Sequence, residues 1–356
     1  MNATFLIGNG FDINCGIRCT FREICEEYCK TASSSETIKS FKVIIDKDID
    51  TWADFEISMN QFLSNFQTEE EALECIRDFK IYMKDFLKKE EAIFLRKYKK
   101  HDNDTIRNAI KEEMRNSIHS FFKGISKNIE SIFQGNLYVN NSNFRFITFN
   151  YTRIFDSLIE AADSTSSIIH IHGNLDDETV LGIDNEAQLN SNLQFEPTRK
   201  LRREFIKPVF NNMYDTNRIT IANSFISNCD VICVFGMSLG DSDLTWRNSI
   251  LKWIKAEPSH HLFLYQYSCA NIKYLTIPHR MEIEDAAKEA FYDRIRLDNT
   301  TRAAIDQQIH IPIGRNIFNI LNVMIEGEKK QSEQEKKIKE QSEDARQRST
   351  GSVLGA

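Results

Sequence analysis

The 356-residue chain has few of the residues that interrupt regular structure, with 13 glycines and 5 prolines. That scarcity predicts much helix and few tight turns. No run of about 18 apolar residues occurs, so no transmembrane helix and no membrane partner are expected. The opening "MNATFLIGNG" has no basic leader and too short an apolar stretch for a signal peptide. Net positive charge is also missing: the balance is −7, which argues against a chain that wraps nucleic acid along its whole surface. Eight cysteines are present but no C-x-x-C pair, the spacing of most structural zinc sites, so no metal is expected. A long chain without a secretion signal is not a disulfide scaffold, and the cytoplasm is the expected compartment. Cys25 and Cys29, four apart, share one helix face and read as core packing.

Hydrophobic content of 41% and charged content of 27% suit a globular fold. Short apolar runs mark strands at 3–8, 144–150, 167–173, 179–183, 230–236 and 261–267. Most are continuously apolar rather than alternating, which fits strands covered on both faces. The expected fold is therefore α/β, with a Rossmann-like, mostly parallel sheet.

A helical insert at about 31–135 separates the first two strands. Ile106, Ile110, Met114, Ile118, Phe121, Ile125, Ile129 and Ile132 recur every three or four positions, and Leu73, Ile76, Met83, Phe86 and Phe94 form a similar stripe. Asp104 or Thr105 can cap the second of these helices. A further helix over 36–66 contains "TWADFE". The main domain is expected to end near 325. Residues 326–356 have almost nothing to bury and read as a mobile tail or a solvated helix.

Four small-residue turns follow strands. "GNGFD" (8–12) is not the G-x-G-x-x-G fingerprint, because Ile13 stands where the third glycine belongs. It is either a tight strand-to-helix turn or a place where Gly8, Asn9 and Gly10 meet phosphates. "TFNYT" puts Asn150 and Thr152 at the carboxyl end of a strand, where α/β folds bind ligands; helix capping is the alternative for Asn150. "IIHIHGNL" places His172 at a strand tip, with His170 two residues earlier and more plainly structural. "VFGMSLGDSDLTW" offers Gly236 and Ser238 to a nucleotide, and Asp241 and Asp243 to the following helix N-terminus. Glu56 is either a site residue brought in by the insert or an exposed helix charge. Arg199, Lys200, Arg202, Arg203 and Lys207 form a basic run that reads as a solvated helix face.

In this order the turns resemble the sirtuin-like NAD-binding fold. More closely, the chain resembles the AbiH family of bacterial abortive-infection proteins, through "IGNGFD" (7–12), "TFREICEEY" (20–28), "WADFE" (52–56), "FNYT" (149–152), "HIHGNL" (170–175), "LGIDNE" (181–186) and "GMSLGDSD" (236–243). The sirtuin pattern departs here in the first turn, in Thr152, and in lacking a four-cysteine module, so protein deacylation is not implied. What the resemblance implies is an NAD-consuming hydrolase that acts in phage defence. His172 would serve as general base near neutral pH, and Asn150 would orient the water or ribose. Gly8, Asn9 and Gly10 would lie at the phosphates, Gly236 and Ser238 at the adenosine side, and Asp12 at the nicotinamide end. NAD or a related nucleotide, a phage trigger or partner protein, and a homo-oligomer are the implied partners. A nucleotide sensor without turnover, and an enzyme acting on nucleic acid, are the alternatives.

Overall fold

The computed structural model describes residues 1–100, 104–122, 143–162, 166–213, 217–237, 239, 243–265, 276–312 and 317–351. Within them six strands form one sheet: β1 (Asn2–Ile7), β2 (Asn143–Thr148), β3 (Ser167–His170), β4 (Val231–Phe235), β5 (His261–Leu264) and β6 (Ile309–His310). Every pairing is parallel, in the order β3-β2-β1-β4-β5-β6. This is the expected α/β architecture. The chain builds outward from β1 through β2 to β3, then crosses to the other side for β4 to β6. The strand order therefore reverses between β1 and β4, the place where such sheets open a crevice for ligands.

Helices α1 (Gly10–Asn14), α2 (Phe21–Cys29), α3 (Glu36–Lys47), α4 (Phe55–Phe62), α5 (Glu69–Lys100) and α6 (Asp104–Ser120) lie between β1 and β2. Helix α7 (Ile154–Ala162) joins β2 to β3, and α8 (Arg199–Phe205), α9 (Lys207–Met213) and α10 (Arg218–Ser227) precede β4. After β4 come α11 (Leu244–Ala256), α12 (Ile277–Arg294), α13 (Asn299–Ile305) and α14 (Ile320–Gly351).

The apolar runs are explained by burial on both faces. Ala3, Phe5 and Ile7 of β1 and Val231, Cys233 and Phe235 of β4 join the core shared with the helical insert. Leu6, Ile232 and Val234 join the opposite core, with Ala222 and Ile226 of α10 and Trp246 and Trp253 of α11. Among the described residues no helix is long and apolar enough to cross a membrane.

Two expectations change. Residues 36–66 are not one helix: α3 stops at Lys47, a short 3₁₀ turn spans Thr51–Ala53, and Asp54 starts α4 by accepting from the Ile57 N–H. "TWADFE" thus marks a break, because Asp54 is a better cap than a helix interior residue. The run 179–183 is no strand. Gly182 has φ +148°, a Cβ there would lie 2.1 Å from the Phe205 carbonyl oxygen, and only Ile183 makes a bridge, to Ile206. The tail takes its solvated-helix form. Helix α14 runs unbroken through residue 326, Gly327 packs on Ile106 of α6, and Ile338 is exposed. The extension of α6 through Ile125, Ile129 and Ile132 lies outside the described residues.

Candidate functional site

A cavity of about 300 Å³ opens at the carboxyl edge of the sheet where the strand order reverses. One wall is made of strand tips: Gly8, Asn9 and Asp12 after β1, Tyr151 and Thr152 after β2, His172 after β3, and Gly236 after β4. The other wall belongs to the helices that follow β1, with Phe21 of α2, Asp54 and Glu56 at the start of α4, and Met83 and Leu87 of α5. Asp243, just ahead of α11, completes the lining. The insert is tied down beside it. Glu69 accepts from the N–H groups of Thr198 and Leu201 and from the Thr198 hydroxyl, Asn60 donates to the Gln188 carbonyl, and Lys84 donates to the Asp177 carbonyl.

Asp12 is the centre of the strand-tip wall. Its Oδ1 accepts from Asn150 Nδ2 at 3.1 Å, and its Oδ2 from the Thr152 hydroxyl at 2.6 Å. Burial pushes the Asp12 carboxyl up to about 7 despite these two donors. Asn150 does not line the cavity; it stands behind Asp12. Its own Oδ1 is buried with no donor among the described residues. The Asn150 carbonyl accepts from His170 Nδ1 at 3.0 Å, while His170 Nε2 meets Asp156 of α7 at 2.8 Å. A carbonyl can only accept, so Nδ1 carries a hydrogen. His170 is thus a buried brace between α7 and the β2 tip, as its structural reading holds.

His172 lies two residues beyond the end of β3, with its ring edge-on to Phe149 and 5.5 Å from it between centroids. Burial, and then the charges of Lys207 and Arg218, hold its pKa well below 6.5. The expectation of a histidine titrating near neutral pH is therefore corrected. The ring is neutral, and the groups that titrate near pH 7 are carboxyls.

The glycine turn also differs from the phosphate reading. The Gly8 N–H is donated to the Phe235 carbonyl and the Gly10 N–H to the Gly236 carbonyl. A Cβ on Gly10 would lie 2.5 Å from the Gly236 Cα. These glycines let two backbones touch at the strand-order reversal. Gly8 and Gly236 still face the cavity, whereas Gly10 borders a separate depression on the far side of the crossing. Asn9 is exposed at the turn. Ser238 and Asp241 lie outside the described residues. Asp243 makes no cap hydrogen bond to α11, and burial raises its carboxyl to about 6.

Glu56 and Lys207 overturn their solvated readings. Glu56 is 5% and Lys207 3% exposed. Glu56 Oε2 accepts from Lys207 Nζ at 2.7 Å, and Oε1 from the Gly182 N–H at 2.9 Å. Burial raises Glu56 to about 7, with Lys207 and the Gly182 N–H pulling it back. Burial alone would lower Lys207, but Glu56 and Asp243 hold it above the ordinary lysine range. Each partner favours the charged form of the other against the burial that opposes both. Periodicity could not reveal this, because both residues sit at helix starts in charged stretches of the sequence. Phe149 and Tyr151, which flank Asn150, were the readable sign of a partly aromatic lining.

Among the described residues no cluster of three or more histidine, cysteine or acidic side chains could hold a metal ion. No curated protein matches the chain. The sequence model of the family described as "Bacteriophage abortive infection AbiH" matches residues 4–265, well over half of the chain. That span contains every residue lining the cavity, from Gly8 to Asp243. The chain belongs to the AbiH family of bacteriophage abortive infection proteins.

Proposed function

We propose that within phage abortive infection this chain is an NAD-consuming hydrolase that cleaves the nicotinamide–ribose bond. One observation carries the reading. The charged groups lining the cavity, among the described residues, are all acidic: Asp12, Asp54, Glu56 and Asp243. Where ionised, such a lining favours a cation inside the cavity. NAD presents a cationic nicotinamide ring, and its ribose becomes oxocarbenium-like as the bond breaks. The cavity, at the low end of the ~300–1,000 Å³ usual for ligand sites, suits one nucleoside half of a dinucleotide.

In this reading the C1′–N bond breaks with its electron pair passing to the ring nitrogen, which leaves neutral. Asp12, fixed by Asn150 and Thr152, faces the developing cation. Neutral His172 hydrogen-bonds a ribose hydroxyl, and exposed Asn9 stands where the chain of phosphates leaves the cavity. Gly236 lies on the adenosine side. The insert limits water, as a site that forms such a cation requires. The test is the NAD content of phage-infected cells carrying the wild type or His172→Ala. The reading expects NAD to collapse only with the wild type. Unchanged NAD alongside effective defence would favour a sensor without turnover.

A further inference from the structure

We infer that Glu56, carried into the site by the helical insert, is the carboxylate that takes the proton of the attacking water, and that Lys207 is its positioning residue. This rests on the NAD-cleaving reading above. A buried ion pair that only fastened the insert would be closed on all sides. Glu56 instead lines the cavity, while Lys207 does not. The two donors approach from segments outside the insert: the Gly182 N–H and Lys207 Nζ. Their convergence has a backbone cause. Gly182 comes so close to Phe205 that no side chain fits, the Ile183 N–H is donated to the Phe205 carbonyl, and the Lys207 N–H returns to the Ile183 carbonyl. The chain on either side of this crossing supplies both donors to one carboxylate.

The other candidate bases are worse placed. Asp12, braced by Asn150 and Thr152, is the carboxyl that the reading above sets against the developing cation. The His172 ring is a weak base, because burial and two nearby cations oppose its protonation. Glu56 lines the same cavity from the insert. Water activated there reaches the ribose from within the cavity. In the step, the water oxygen bonds to C1′ as the C1′–N bond breaks. One water proton passes to Glu56 and is later released to solvent. The charged and titratable groups facing Glu56 are Lys207 from α9, Asp243 ahead of α11, its neighbour Asp54, and Tyr151 after β2. Asp184 acts on Lys207 from behind.

The experiment follows NAD loss from pH 5 to 9 in the full chain, with and without lysate of infected cells, while circular dichroism monitors folding. Glu56→Gln should lose a hundredfold or more in rate, as removal of a general base does. Lys207→Met removes the cation that favours the ionised carboxylate, so the acidic limb of its rate profile should move up by about one to three pH units. Lys207→Arg should leave that limb in place. Should Glu56→Gln fail to fold, the limb shift in Lys207→Met decides. A folded Glu56→Gln at the wild-type rate, or an unmoved limb in Lys207→Met, overturns the inference and leaves the NAD reading standing. A wild type that never consumes NAD overturns both.

Discussion

Asn150 Nδ2 donates to Asp12 Oδ1 at 3.1 Å, joining residues 138 positions apart in the chain. The contact links the tips of two neighbouring parallel strands and puts a buried carboxyl on the cavity wall. It also sets a measurable property, the protonation of Asp12.

Asp12 holds its proton more tightly folded than unfolded, with a pKa near 7 against 3.8. Its contribution to stability is full below about pH 4 and is lost as pH rises through about 7. The span corresponds to on the order of 4 kcal/mol. Asp12→Asn should therefore gain stability relative to the wild type as pH rises from 5 to 8. Denaturant titrations of both proteins at the two pH values check this. A constant difference between them would show that Asp12 does not titrate in this range.

Gly10 and Gly236 touch backbone to backbone, and Gly236 has φ +67°. Gly10→Ala and Gly236→Ala should each destabilise by about 2 kcal/mol or more, since overpacking alone costs ~1–3 kcal/mol. The loss should appear in chemical denaturation without any ligand present. Variants that keep wild-type stability would mean the crossing is looser than described.

Helix α14 is two different objects along its length. Ile320 and Met324 are buried, as are Ile317 and Phe318 just before the helix, whereas residues from Glu328 to Ser342 are exposed except half-buried Gln331. Truncation after Gly327 should leave the unfolding midpoint nearly unchanged. Truncation after residue 312 strips four large buried side chains, each contributing ~1.5–3 kcal/mol, enough to unfold a domain of ordinary stability. Equal behaviour of the two truncations would contradict the packing described.

The sheet was legible in the sequence because β1 and β4 are buried on both faces and leave nearly unbroken apolar runs. β6 escaped notice because it is two residues long, Ile309 and His310. The strand tips were legible too: Gly8, Asp12, Thr152, His172 and Gly236 do meet at one cavity. What the residues could not disclose was their state. Burial, not spacing, keeps His172 neutral and lifts Asp12 and Glu56 toward pH 7. Lys207 looked like the other basic residues of its run, because the turn that buries it depends on Gly182 and Phe205, more than 20 residues apart in the chain.

The central claim is that this acid-lined cavity breaks the nicotinamide–ribose bond. Purified wild-type chain incubated with NAD, with and without infected-cell lysate, and then chromatographed for nicotinamide and ADP-ribose, tests it most directly. The wild type should release equal amounts of the two products, and folded His172→Ala should release neither. NAD left intact by the wild type under both conditions would contradict it.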